Sequence, residues 1–490
     1  MTLNDIKTIN QDIYTLDIEI TRNAKTIFIA ALIFCSLNED FRNPAKMTSV
    51  INFATSQNPI SDIVDLAKKE IKKLKLQSVT YDAVCDSLDI IYGVSTKLYK
   101  DRVKLQAFVY DFIMNKLPSL AQSDYLFFET LYMEIDKKAK NSDKGITLTP
   151  YFAAKLMVEL CDLDFKKDIV ADLASGTGLF SLLAYSEMNA QIEKAKASKE
   201  ISQDEYLEYK GKLLNSIVAN DYEAKMVTLT LANFILKNLN TELIYKYDVL
   251  NVKKTDFFYA DGNESVTLYP TKAILNPPYE DTYKPTEIIL KTIELIKGNS
   301  DQGKVVVIIP PQKLGQKRDV FHKILNLARL DVIIKMQDDL FSESGQSPAT
   351  SIFVFDLKRE HKKTDVIRYF NFTDSGYVFL KDSGIVDKNH THQSKKAHLL
   401  ERISSTDEYV SPFVRGWTNF YDVSGDPELY SKIDPNLVKI NKEEADVTFE
   451  NATIKKMLSE KKKLITDAGG IYTDQDGKFE DYIIDILSED

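Results

Sequence analysis

Cysteine is scarce in this 490-residue chain: Cys35, Cys85 and Cys161 lie far apart, with no Cys-x-x-Cys and no histidine pair nearby. That spacing indicates neither a disulfide framework nor a zinc site, and a reducing cytoplasm is the expected setting. Long apolar runs are missing as well. The strongest, "TIFIAALIFCSL" from Thr26 to Leu37, is well short of the roughly 20 residues that a membrane span requires. It predicts a buried helix and no membrane partner. Asp5, Asp12 and Asp17 stand ahead of it, unlike a secretory signal. Positive charge is not in surplus: Lys and Arg number 63 against 73 Asp and Glu, a formal charge of -10, which argues against coating nucleic acid by charge alone. The absence of Gly-Lys-Ser/Thr excludes a phosphate-cradling P-loop. Internal repeats and low-complexity tracts are also absent.

What is present is enough apolar material, 44% of 490 residues, to fill two or three domains. Residues 1–140 carry helical periodicity, as in "VKLQAFVYDFIMNKL" (Val103 to Leu117), and predict a helical N-terminal domain. A polar, charged stretch, Asp136 to Ile146, reads as a linker. Over 141–375 short apolar runs alternate with helical segments: 169–174, 214–221, 242–250, 272–276, 303–310, 330–336 and 350–357. That rhythm implies βαβ crossovers and a mostly parallel sheet, so the predicted fold class is Rossmann-like, doubly wound α/β. The charged run Glu193 to Lys212 reads as a solvated helical insertion in one crossover. Residues 376–490 form a mixed C-terminal region, expected to contact a partner or DNA, with an exposed amphipathic helix over Thr453 to Ile465.

Two stretches carry chemistry. In "IVADLASGTGLFSLLA" a strand runs through Asp172, Ala174, Gly176, Thr177 and Gly178 into a helix. Glycine lets a backbone approach a ligand, and a helix N-terminus offers unpaired N–H groups. The third position of the dinucleotide fingerprint is filled by Phe180, and an acid precedes the glycines. A carboxylate there repels phosphate but accepts hydrogen bonds from an ammonium or from hydroxyls, which fits S-adenosyl-L-methionine. A plain tight turn is the competing reading. Asp221, ending the next apolar run, is the candidate acceptor for a ribose diol, with Glu223 in reserve. Asp248 is a candidate for an adenine amino group, or a turn aspartate.

The second stretch, "KAILNPPYED", ends a buried strand in Asn276, Pro277, Pro278 and Tyr279. Consecutive prolines fix φ twice and remove two donors. The Asn276 side-chain oxygen and the Pro277 carbonyl can then both accept from one exocyclic amine and hold it for in-line attack on a sulfonium methyl. Tyr279 offers a ring on which a planar base can stack. A rigid strand-to-helix connection is the bland alternative.

These residues resemble the amino-methyltransferases that use S-adenosyl-L-methionine, and specifically the DNA adenine-N6 methyltransferases of restriction-modification systems, in particular the type I methylation subunits. The Asn-Pro-Pro-Tyr and Asp-x-x-x-Gly-x-Gly motifs carry the likeness, together with Thr149 and Pro150 in "GITLTPYFAAKLMVEL". That Thr-Pro should open a helix against the cofactor, with Thr149 as N-cap and Pro150 as first helical residue. The resemblance implies catalytic roles for Asn276, Pro277, Pro278 and Tyr279, and cofactor contacts from Thr149, Pro150, Asp172, Ala174, Gly176, Thr177, Gly178, Asp221, Asp248 and Asn276. It implies double-stranded DNA with a flipped adenine as substrate, and a specificity subunit and a restriction subunit as partners. Methylation of a protein glutamine or an RNA amine uses the same corner and is the alternative. Ser175 departs from the cysteine common in the family, and no target-recognition domain is identifiable. Lysine-rich candidates for phosphate contact are 137–140, 358–363 and 395–398. A faint likeness of 59–72 to nuclease carboxylate spacing reads as an amphipathic helix.

Overall fold

The computed structural model describes residues 3–16, 22–94, 102–122, 128, 131, 148–341, 349–362, 367–380, 384–404 and 418–422. The linker over 136–146, the lysines of 137–140 and the helix expected over 453–465 lie outside the described residues. The chain packs as two compact units, one of residues 1–148 and 163–270, the other of 149–162 and 271–490.

In the first unit, the regular structure among the described residues up to 148 is helical and includes no strand. The helix Arg22–Cys35 holds all but the last two residues of the apolar run noted above, and Ile27, Phe28, Ile29, Leu32, Ile33 and Phe34 are wholly buried. Each large aliphatic or aromatic side chain removed from water contributes about 1.5–3 kcal/mol as an upper estimate. Among the described residues, no helix is long and apolar enough to cross a membrane. The helix Pro59–Ile71 is amphipathic: Asn58 caps Ser61 N at 3.3 Å, and Ile60, Ile63, Val64, Ala67 and Ile71 face inward. No group of three or more His, Cys, Asp or Glu able to hold a metal gathers among the described residues.

The same unit carries three parallel strands in the order β1-β2-β3: β1 (Val170–Asp172), β2 (Ile217–Asn220) and β3 (Ile244–Tyr245). Val170 pairs with Ile217, and Ala219 with Ile244. Helix Leu179–Ala197 follows β1, and helix Ala224–Leu236 follows β2. The expected insertion is an extension of the first of these helices followed by Gln203–Leu213. That second helix starts on a capping box between Ser202 and Glu205, and Lys210 reaches back to Glu193 at 3.1 Å. A hairpin of β4 (Phe258–Asp261) and β5 (Glu264–Thr267), largely exposed, is not among the expected strands.

In the second unit the strand order is β6-β7-β9-β8-β10-β13, with β6 (Lys272–Leu275), β7 (Lys304–Ile309), β8 (Arg329–Met336), β9 (Ser351–Asp356), β10 (Ile367–Phe372) and β13 (Thr418–Asp422). The pairs β6–β7, β8–β10 and β10–β13 are parallel. β9 is antiparallel to both neighbours. Between β8 and β9 the described residues form no crossover helix, and an antiparallel return needs none. A second hairpin, β11 (Tyr377–Leu380) with β12 (Gly384–Asp387), precedes the helix His392–Ser404. β6 is buried throughout, and β7 from Val305 to Ile309, which is why both read as continuous apolar runs. The fold is α/β and Rossmann-like, with a helical N-terminal region.

Candidate active site

The acid and glycine turn belongs to the first unit. Gly176 and Gly178 have φ of 55° and 88°, the left-handed region that a side chain rarely adopts. At Gly178 a Cβ would also stand 3.3 Å from Thr230 Cγ2. The loop is braced from outside. Thr230 Oγ1 donates to the Gly176 carbonyl at 3.0 Å, and Asn233 Nδ2 donates to the Thr177 carbonyl at 2.7 Å. Both come from helix Ala224–Leu236, three residues apart and therefore on one face. Asn220 completes the frame: its Nδ2 donates to the carbonyls of Leu173 at 3.1 Å and Tyr247 at 3.2 Å, and its own carbonyl accepts from Ser175 N at 3.0 Å. Sequence reasoning passed over Asn220, Thr230 and Asn233. The available signal was polar residues inside an otherwise apolar helix and strand.

Asp172 ends β1 with no exposure. One carboxylate oxygen accepts from Ser181 N at 3.1 Å and Ser181 Oγ at 3.0 Å. The other is buried and has no partner within the protein. Burial pushes its pKa up to about 7, against the two Ser181 hydrogen bonds and with a smaller push from the charge of Asp221. Asp221 is also buried: its oxygens accept from Gly176 N and Glu223 N, each at 2.8 Å. Burial raises it to about 6. Asp221 thus ties the second strand's end to the glycine turn, and each oxygen keeps capacity for a further donor. Glu223 is exposed at the start of helix Ala224–Leu236. Asp248 is exposed, its carboxylate accepting from Leu250 N at 3.1 Å and Asn251 Nδ2 at 2.9 Å. Those bonds are what a turn aspartate makes. Ala174 is half-buried beside the turn.

The proline corner belongs to the second unit. Asn276 follows β6 directly, Pro277 is buried, and Pro278 and Tyr279 are half-buried. The Tyr279 ring meets Phe341 edge to face, centroids 5.9 Å apart at 80°. Its hydroxyl is buried with no hydrogen-bond partner within the protein, and burial holds its pKa well above the usual 10. The helix expected to open on Thr149 begins one residue later, at Tyr151, with Pro150 in the N-cap position. Thr149 makes no cap. Its hydroxyl, buried, accepts from Asn276 Nδ2 at 2.9 Å.

Of the lysine-rich candidates, Lys395 pairs with Asp374, and Lys396, 7% exposed, pairs with Glu159 at 2.6 Å. Both are committed to ion pairs within the second unit. Lys358 and Lys362 are exposed.

No protein-family model matches the chain. A curated relative, the type II restriction enzyme and methyltransferase RM.BcgI of Heyndrickxia coagulans, is 27% identical over 306 residues, 60% of this chain and 44% of its own length. The chain resembles a restriction-modification methyltransferase. It spans under half the length of that relative. Among solved structures, a chain from work on assembly and conformational transition of the type I R-M system matches with a TM-score of 0.55 and 16% identity, over 81% of this chain and 82% of that one. The two share a fold. The methyltransferase subunit of a type I restriction-modification system from Streptococcus thermophilus aligns with a TM-score of 0.48 and 13% identity, over 83% and 95% of the two chains.

Proposed function

We propose that this chain is a site-specific DNA methyltransferase that moves a methyl group from S-adenosyl-L-methionine to the N6 amino group of adenine, as the modification component of a restriction-modification system. The observation that carries the reading is the Asn276 side chain, held by Thr149 at the end of a buried strand and followed by two prolines. A rigid turn needs no such amide, whereas a weakly nucleophilic exocyclic amine needs an acceptor fixed in advance.

The residues of the first unit fit the cofactor. The orphaned, buried oxygen of Asp172 is an acceptor awaiting a donor, and a carboxylate there disfavours phosphate. The left-handed glycines keep side chains out of the turn. Asp172, Ala174, Gly176, Thr177 and Gly178 would hold the amino-acid end, and Asp221 the ribose. Asp248 is the weaker candidate, for the adenine, since its carboxylate is already bonded in its own turn. When bound, S-adenosyl-L-methionine supplies an electrophilic methyl on a sulfonium. Asn276 and the Pro277 carbonyl would accept from the target amine and localise its lone pair, and Tyr279 would stack on the base. An adenine in a duplex must be flipped to reach them.

An acidic chain of -10 calls for a specificity subunit to supply much of the DNA affinity, with cleavage left to a restriction subunit. Division into a helical domain (1–140), a methyltransferase domain (141–375) and a partner- or DNA-contacting region (376–490) belongs to the same proposal. So does a cytoplasmic setting, in keeping with three cysteines that form no disulfide. Tritium transfer from labelled cofactor to duplex DNA, RNA and total protein tests the reading. Label in DNA at N6-methyladenine supports it, and label confined to glutamine in protein or to RNA replaces it.

A further inference from the structure

An asparagine amide has two edges of nearly equal shape and opposite chemistry. Rotated by half a turn, it presents N–H donors where an acceptor is needed and repels an amine. Backbone geometry does not choose between the edges, so the prolines that stiffen residues 277 and 278 cannot make Asn276 an acceptor. A hydroxyl, which both donates and accepts, does not choose the edge either, but a hydrogen bond to it holds the amide still in the orientation found.

We infer that Thr149 is a positioning residue for Asn276, its hydroxyl oxygen accepting from the amide nitrogen and so holding the carboxamide against rotation. This rests on the function proposed above and gives Thr149 a role distinct from direct cofactor contact. The bond is 2.9 Å long and joins residues 127 positions apart. Thr149 is 4% exposed, so water competes little for its oxygen.

Thr149 is itself fixed by the helix it precedes. Pro150 sits at φ -57° and ψ 138°, with its carbonyl accepting from Ala154 N at 3.0 Å. At the other end of helix Tyr151–Cys161, Lys304 of β7 donates to the Leu160 carbonyl at 3.3 Å, and Lys396 reaches Glu159 at 2.6 Å. β7 is the strand paired with β6, which delivers Asn276. The helix that carries Thr149 and the strand that carries Asn276 are therefore tied into one frame at both helix ends. A hydroxyl on a loose loop could not hold an amide against rotation.

The test compares Thr149→Val, which keeps the shape without the hydroxyl, with Thr149→Ser, which restores the hydroxyl. Three quantities are read on the full chain: single-turnover methyl transfer to whichever acceptor the wild type labels, cofactor affinity by equilibrium dialysis, and hydrogen exchange of the Asn276 side-chain amide in asparagine-labelled protein. The amide signal is assigned by its loss in Asn276→Asp. Expected for valine is a transfer rate lower by roughly 10- to 100-fold, with cofactor affinity within about twofold and faster amide exchange. Serine should return all three toward wild type. Weakened cofactor binding with an unchanged transfer rate would overturn the inference in favour of direct contact. An amide signal identical in all three proteins would overturn it whatever the activity. A wild type that labels neither DNA, RNA nor protein defeats the proposed function separately, and the amide exchange then decides the Thr149 assignment alone.

Discussion

The glycine turn of the first unit and the proline corner of the second are both rigid, but they are stiffened by different means. Around Gly176 to Gly178, rigidity comes from hydrogen bonds: Thr230, Asn233, Asn220 and Asp221 each hold a loop backbone group. At residues 276–279, rigidity comes from the two proline rings, one side-chain bond to Thr149 and an edge-to-face ring contact. The first device leaves two buried acids with raised pKa values. The second leaves a buried phenol with no partner. A turn held by hydrogen bonds to buried acids responds to pH and to loss of polar side chains, whereas in the proline corner the backbone of residues 277 and 278 should respond to neither and only the Asn276 amide to the loss of Thr149. The comparison can be broken at four points.

The largest expected effect is Asn276→Ala, which deletes the acceptor for the amine. Methyl transfer should fall by about 10²–10³-fold or more, with cofactor affinity nearly kept. Asp221→Asn should do the reverse, weakening the cofactor first. Dialysis and single-turnover rates on both variants check the split; if Asp221→Asn leaves affinity intact, the ribose role moves to Glu223.

Next in size is the pH response of the protein without cofactor. Asp172 and Asp221 have folded pKa values of about 7 and 6, above the ordinary carboxyl value of roughly 3.9. The folded state therefore keeps protons that the unfolded chain has released. The stability these groups contribute is full below about pH 4 and is lost as pH rises through the folded values. At about 1.4 kcal/mol per pKa unit, the loss amounts to a few kcal/mol at most for each of the two groups. Urea midpoints should decline from pH 4.5 to 7.5, and Asp172→Asn should flatten the decline. Cofactor affinity should move the opposite way, rising as Asp172 ionises to meet an ammonium or hydroxyls.

Gly178→Ala comes third. A φ of 88° and Thr230 Cγ2 at 3.3 Å from the new Cβ should cost about 1–2 kcal/mol, read as a lower Tm. The smallest effect is Tyr279→Phe. Removing a buried hydroxyl that has no partner within the protein should leave stability equal or raise it by about 1 kcal/mol. A marked loss of stability would mean that the hydroxyl finds a partner in solution.

Much of this was legible in the chain. The apolar runs located all the strands β1–β3 and β6–β9, because strands buried on both faces are predominantly apolar. The exposed hairpin β4–β5 escaped although Phe257 to Ala260 and the Asp261-Gly262 turn mark it, because its strands are largely exposed and do not alternate cleanly. Gly176, Gly178, Pro277 and Pro278 announce themselves through backbone constraint, which is local. Thr230, Asn233, Asn220 and Ser181 do not, because an uncharged polar residue in a helix or strand has no signature until its partner is known. The lysines at 395 and 396 are candidates for phosphate contact by sequence, yet the structure commits them to Asp374 and Glu159.

By itself, then, the amino-acid order determined the α/β rhythm, the positions of two chemically loaded turns and the acids beside one of them, because backbone restriction and hydrophobic period act over a few residues. Tertiary structure alone decided which way those turns are braced. It took Thr149 from the cap of its own helix and gave it to an asparagine 127 residues away, and it raised two carboxyls by enclosing them. Hydrogen bonds between distant residues and the removal of water both depend on what the folded chain brings alongside, and neither is written in any short stretch of sequence.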